Sequence, residues 1–589
     1  MKRRLYLVLI TCCFVMALIN ANADEPTLYQ YAPDNVDYSD WSQYEVLLQK
    51  LLDHPIRSTY ELKLWMRDRD ELKSFSIAQR SRARINYSRQ TDNPEYEAKR
   101  KHIIENIRPK LKPYQQKLDQ KYINCEFRSS LDKDFYALFD KKLETDIKLF
   151  REENIPIQTE TNLLSQRYMK INAAMTAEWD GEEKTLQQLD VFTIDPERSV
   201  REKAWKKITN RRLQDRDAMD EIYDEMLGKR DRIAKNCNFD NFRDYAFVSK
   251  KRFDYTPEDC FQLHNAIEKC VVPLARKLAQ KQKKSLGVEI LRPWDMKVDP
   301  QNRSPLKPFD KIEDLKNGVQ RIFDRLDPEI SAEFAEMNWR GNLDLESRKG
   351  KAPGGYCSNY MVTRSAFIFM NAAGIHQNVE TLLHETGHAY HFCRASKLPL
   401  SHYWFAPLEF AEVASMTMEL FGLDLLDEFY SGEYLNRAKR EQLERIITFL
   451  PWMSRIDAFQ HWIYTHPDQT REERSQAWLD LEERFDGRAD WTGFEDAKAA
   501  EWHRQRHIFK APFYYIEYGI AQLGALQIWK NYLENPEKAL QQYKKALSLG
   551  GSQPLPVLFE TAGAKFDFSI ENIQPLMDLL EEELAKLPE

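Results

Sequence analysis

Two histidines four residues apart enclose a glutamate in His384-Glu385-Thr386-Gly387-His388. On a helix, positions i and i+4 lie one above the other, so both imidazoles can reach one metal ion. Glu385 then points near that ion and can act on a water there. The spacing fits a zinc peptidase, provided that a helix, a third ligand and donors for an oxyanion accompany it. Catalytic zinc takes three protein ligands and keeps one position open. Downstream, Glu409, Glu412, Met416 and Glu419 share one helical face, crowded by Phe410, Ala411, Val413, Ala414 and Leu420. Acids on so apolar a helix favour a site over a solvated face. Either Glu409 or Glu412 can be the third ligand, with the other an acceptor that orients a histidine N–H or a neighbouring base. Nine of the twelve histidines fall between His376 and His507, which places the chemistry in that stretch. His391 is read as a structural neighbour of the metal face, and His402, His461 and His466 as non-catalytic. Farther on, His507 precedes Phe513-Tyr514-Tyr515-Ile516-Glu517-Tyr518. Tyr515 and Tyr518 share a helical face, and a phenol or imidazole N–H beside the oxyanion of peptide hydrolysis stabilises it in a site shielded from water.

The elements that must position these groups are mostly helices. Leu47, Leu48, Leu51 and Leu52 form an apolar stripe, as do Ile103, Ile104, Ile107 and Leu111 within 95–122. Residues 131–153, 199–235 and 257–285 carry the same three-and-four spacing, which is the signature of helices that pack. Breaks come at 291–310 and at Lys351-Ala352-Pro353-Gly354-Gly355-Tyr356. Ser365 to Asn371 is short, apolar and aromatic, hence a strand, and Gly374 ends it. Val379, Leu382, Leu383 and Ala389 then set the apolar face of the metal helix. The expectation is that Gly354 and Gly355, with Ala366, Phe367, Ile368, Phe369 and Met370, bind substrate, an extended peptide pairing with the strand edge. The alternative for that strand is an internal core position.

The chain of 589 residues is 42% hydrophobic and 12% aromatic, enough for a large core. Charge is high at 30% but mixed in sign, without a basic stripe, which excludes nucleic acid as the main partner. Lys2, Arg3 and Arg4, the apolar run Leu5–Ile19 and Ala21-Asn22-Ala23 read as a cleavable signal peptide at 1–23. The apolar run is shorter than the ~20 residues a membrane span needs, and no second run follows. A periplasmic or extracellular protein without stable membrane insertion is expected. Beyond the signal, Cys125, Cys237, Cys260, Cys270, Cys357 and Cys393 are too sparse for a disulfide scaffold.

Taken together, these motifs resemble the oligoendopeptidase F branch of the thimet oligopeptidase family. The segment Gly354–Glu419 carries Gly-Gly-Tyr-Cys-Ser, Phe-Ile-Phe-Met-Asn, the histidine motif and Ala-Glu-Val-Ala-Ser; Trp502–Trp529 carries His507 and Phe-Tyr-Tyr-Ile-Glu-Tyr. The likeness runs from about residue 170 onward and is weaker before it; the stretch between His507 and Tyr515 needs a one-residue gap against the thimet pattern. The resemblance implies one Zn2+ held by His384, His388 and Glu412, with Glu385 as general base. It places His507, Tyr518 and Tyr515 at substrate-binding and transition-state positions. It implies a mainly α fold, a two-lobed helical body around a deep substrate channel, with a small β-sheet beside the zinc-binding helix. Residues 24–175 would form an N-terminal helical region in the channel wall and 176–589 the metallopeptidase region. Substrates would be short, unfolded peptides, and export departs from a family habit of cytosolic location. A dipeptidyl carboxypeptidase of the angiotensin-converting type and a non-catalytic exported peptide-binding protein are the competing readings. The sequence does not specify an oligomeric state.

Overall fold

The computed structural model describes residues 31–33 and 35–588, so the signal segment 1–23 lies outside the described residues. The chain is mainly helical, and among the described residues its helices gather around two large hydrophobic cores, with smaller clusters beside them. The smaller core joins Leu48, Leu62, Trp65, Leu111 and Tyr122 with Phe139 and Leu143, and reaches Tyr403 from far along the chain. The larger runs from Leu164 and Tyr168 to Leu584. The helix Asn154–Ala174 thus already gives Leu164 and Tyr168 to the larger core, upstream of a boundary at 175.

Six helices carry or brace the residues that matter for function: α1 (Thr59–Arg89), α2 (Pro257–Cys270), α3 (His376–Ala395), α4 (Leu408–Leu423), α5 (Gly432–Thr465) and α6 (Tyr515–Glu534). Side-chain caps start the first two. Ser58 Oγ accepts the Glu61 N–H of α1, and Thr256 and Asp259 form a reciprocal capping box at α2 with Pro257 in its first turn. The periodic stretch 257–285 is two helices, because Pro273 has no N–H and opens a new first turn at Val272–Leu286.

Five strands are present among the described residues. β1 (Thr176–Trp179) and β2 (Glu182–Thr185) pair antiparallel around Asp180-Gly181, both at positive φ (53° and 85°), the conformation a two-residue hairpin turn demands. β3 (Leu343–Glu346), β4 (Tyr356–Tyr360) and β5 (Ser365–Ala372) form a second sheet in the order β3-β5-β4. β5 runs parallel to β3 and antiparallel to β4, with Cys357 opposite Ile368.

This topology corrects one expectation. Ala366, Phe367, Ile368, Phe369 and Met370 occupy the central strand, with neighbours on both sides and side chains no more than 3% exposed. Ile368 and Phe369 are paired on both edges, so the middle of the run has no free edge for a peptide. The near-continuous apolar run from Ala366 to Met370 is what a strand buried on both faces requires. The outer strand on this side is β4, which follows Gly354 and Gly355 directly.

Candidate active site

The metal helix α3 and the glutamate helix α4 touch at one point that admits no side chain. A Cβ on Gly387 would lie 2.6 Å from Ser415 Cα and 2.7 Å from Ala414 O. Those are backbone atoms and cannot step aside, so only glycine lets the helices approach this closely. The contact lays Glu412 against the two histidines.

Their rings stand nearly perpendicular, 87° apart, with centroids separated by 4.8 Å. His384 Nε2 lies 3.3 Å and His388 Nε2 3.4 Å from the same oxygen, Glu412 Oε2. Two ligands on one tetrahedral ion, each about 2.0–2.1 Å from it, stand about 3.3 Å apart. Ligand atoms of all three residues fall within 4.8 Å of one another. The set of two imidazoles and one carboxylate therefore fits a zinc-class divalent cation and leaves a coordination position open.

The surroundings hold these ligands in orientation. His384 Nδ1 lies 2.6 Å from Glu419 Oε1, so its N–H is committed there and its Nε2 lone pair is free for an ion. Ser415 Oγ donates to Glu412 Oε2 at 3.1 Å, and the Tyr514 hydroxyl donates to Glu412 Oε1 at 3.0 Å. Of the two glutamates open as third ligand, Glu412 is the one at the cluster. Glu409 instead accepts the Tyr255 hydroxyl at 2.6 Å and sits 3.8 Å from Arg252 Nε. The orienting acceptor for the histidine is Glu419. It stands two turns beyond Glu412 on the same face, a spacing that could have named it.

Glu385 is buried, and burial pushes its carboxyl up; His384 and His388 draw it partly back, as does a bond from the Cys357 backbone N–H of β4. A Cβ on Gly355 would sit 3.7 Å from Glu385 Oε1 and 3.4 Å from Phe369 O, so the glycine-rich loop passes beside the base. The expected neighbour His391 is buried beside Phe410, with burial holding it down near 3, a neutral packed ring away from the ligand set.

Three aromatic groups come in from α6 and the short helix Arg506–Lys510 before it. His507 stacks on Tyr514 with centroids 5.6 Å apart, and Tyr518 makes an edge contact with each, at 6.0 Å and 5.1 Å. Burial, reinforced by Arg506 and Lys510, lowers His507 to about 4 and keeps it neutral near pH 7. The Gln505 amide nitrogen lies 2.8 Å from His507 Nδ1 and donates to it, which leaves the proton on Nε2. Tyr515 also lies against His507 and Tyr518, with centroids 5.0 Å and 5.7 Å apart, and against Phe449, while its hydroxyl bonds with Trp452 and Gln505. Tyr514, absent from the candidates read from the sequence, is the tyrosine that touches a ligand. It lies four residues before Tyr518, and that spacing was the available signal.

Comparison with known proteins gives the family of the chain. Residues 191–574 match the model of peptidase family M3, and residues 35–150 match that of the peptidase M3 N-terminal domain. Oligopeptidase PepF of Bacillus subtilis (strain 168) is 28% identical over 266 residues, 44% of this chain and 38% of that protein. An oligoendopeptidase F homolog of Lactococcus lactis subsp. lactis (strain IL1403) is 23% identical over 60% of this chain and 58% of that protein. The matches therefore span less than two thirds of these curated relatives. Over 95% of its length the chain superposes on 99% of a solved structure of PZ peptidase A with an inhibitor, with a TM-score of 0.87 and 27% identity. It shares its fold with oligoendopeptidase-F from Enterococcus faecium (TM-score 0.64, 16% identity, 93% of this chain and 97% of that one). The chain belongs to peptidase family M3, on its oligoendopeptidase F branch.

Proposed function

We propose that this protein is a zinc-dependent endopeptidase that hydrolyses short peptides, exported through a signal segment at residues 1–23. The observation that carries the reading is the convergence of His384, His388 and Glu412 with a buried, proton-hungry Glu385 beside them. Bound by those three residues, zinc supplies Lewis acidity to the scissile carbonyl and lowers the pKa of water toward neutral. Glu385 takes the proton from the attacking water and passes it to the departing amine; an upward-shifted carboxyl suits both halves of that task. The His507 Nε2–H and the Tyr518 hydroxyl donate to the oxyanion, His507 as a neutral donor fixed by Gln505. The peptide backbone lies along the outer edge of β4, where the Cys357 N–H already faces Glu385. A channel between two lobes restricts substrates to short, unfolded chains.

Glu385→Gln tests the base. The variant keeps its metal and binds peptide, while turnover falls about 10²–10⁴-fold; undiminished cleavage refutes the assignment. Internally quenched peptides blocked at the C-terminus separate endopeptidase from dipeptidyl carboxypeptidase, because only the former cuts them. The intact mass of the protein recovered outside the cytoplasm tests removal of residues 1–23.

A further inference from the structure

Outside the peptidase ligand set, α2 and α5 pack against each other with four metal-type side chains at the contact. Cys260 and His264 sit four apart on α2, and Asp457 and His461 four apart on α5, so each pair presents one face across the interface. All four are buried, at 0%, 1%, 0% and 3% exposure. Cys260, Asp457 and His461 bring their ligand atoms within 4.8 Å of one another. His461 Nε2 lies 3.2 Å and His264 Nε2 3.1 Å from the same oxygen, Asp457 Oδ2. These are again the roughly 3.3 Å separations of ligands around one tetrahedral ion.

Hydrogen bonding does not account for the cluster. His264 bonds to Asp457, but Asp457 Oδ1 and both ring nitrogens of His461 have no hydrogen-bond partner despite complete burial. The His461 ring is near the carboxylate yet off the hydrogen-bonding direction. A buried polar atom left unsatisfied costs about 1–3 kcal/mol, so an imidazole with neither nitrogen hydrogen-bonded, beside a carboxylate with one bare oxygen, calls for a ligand. The rings of Phe261 and Phe513, 4.9 Å and 5.2 Å from that of His461, make an apolar wall.

We propose that this cluster is a second, structural site for a zinc-class divalent cation, with Cys260, Asp457 and His461 as ligands. His264 completes the shell by shifting its ring from the carboxylate oxygen to the ion. Charge supports the assignment: one thiolate and one carboxylate with two neutral imidazoles cancel a dication, leaving the dry interface without net charge. Binding releases the Cys260 proton to solvent, since a coordinated thiol is deprotonated. Sulfur, nitrogen and oxygen donors in a closed shell suit a structural rather than a catalytic role.

The test is metal content in a full-length chain stripped of the peptidase ligands. His384→Ala/His388→Ala protein, grown in zinc-supplemented medium and shown to be folded by circular dichroism, should retain about one zinc per chain, where wild type holds about two. Grown with cobalt, the same variant should show a near-ultraviolet thiolate-to-cobalt charge-transfer band, which an all-histidine-and-glutamate site cannot give. Adding Cys260→Ser should abolish the band. A folded His384→Ala/His388→Ala protein without metal overturns the proposal, as does a band that survives Cys260→Ser. Should the triple variant not fold, the stoichiometry of the double variant decides alone.

Discussion

The Tyr514 hydroxyl lies 3.0 Å from Glu412 Oε1, on the oxygen opposite the one that faces the two histidines. A ligand carboxylate held at both oxygens cannot swing, and its outer partners commonly govern metal affinity by about 10–100-fold. Tyr514→Phe removes only that hydroxyl. It should weaken zinc binding, measured by chelator competition, and lower kcat/KM, each within that range, with the fold intact.

Glu419 does for His384 what Tyr514 does for Glu412. With Glu419→Ala the His384 Nδ1–H loses its acceptor at 2.6 Å, and the ring loses its fixed tautomer. Metal affinity should fall about 10–100-fold, while added zinc restores turnover. Turnover that stays low at saturating zinc would give Glu419 a different role.

Gly387→Ala forces a methyl against the backbone of α4 at Ser415 and Ala414. Overpacking of this kind costs about 1–3 kcal/mol, and here it also moves Glu412 away from the histidines. A drop in Tm together with loss of bound zinc is expected, and full metal content at wild-type Tm would contradict the close-contact argument.

Glu517 supplies the pH prediction. It lies buried on α6, with Lys250 and Arg252 each at 3.0 Å, and burial pushes its carboxyl up to about 7 against a usual 4.5. The folded chain therefore holds a proton there that the unfolded chain has lost between those values. The group's contribution is full below about pH 4.5 and declines as pH rises to about 7. Glu517→Gln is neutral throughout, so its stability relative to wild type should improve from about pH 5 to about pH 8 by up to about 3 kcal/mol. Urea unfolding of both proteins at the two pH values measures it; parallel profiles would contradict the upward shift.

Much of the site was legible because helical spacing is local. His384, Glu385 and His388 follow from i and i+4, and the fold class from apolar stripes at three and four. What escaped depended on contacts the chain makes with itself at long range. The run Ser365–Asn371 reads as a strand, but its place between β3 and β4 is set by pairing partners that lie elsewhere in the sequence. Spacing alone leaves Glu409 and Glu412 open; the resemblance points to Glu412, and Tyr255 and Arg252 are what occupy Glu409 from a distant part of the chain. Tyr514 and Tyr515 are adjacent in sequence and indistinguishable by type; only the direction in which the chain enters α6 after Phe513, at a positive φ of 58°, assigns one to the metal ligand and the other to Trp452. Cys260, His264, Asp457 and His461 show no motif, because each helix supplies only half of the set.

The small sheet belongs to both lobes. The Arg84 guanidinium of α1 lies 4.3 Å above the Tyr356 ring of β4, Ile85 packs with Phe367 and Phe369, and the Ser88 carbonyl accepts the Ala352 N–H at 2.7 Å. The strand proposed to receive the peptide is thus also one of the contacts between the two cores. A peptide along the outer edge of β4 would therefore rest on a strip whose position both cores set.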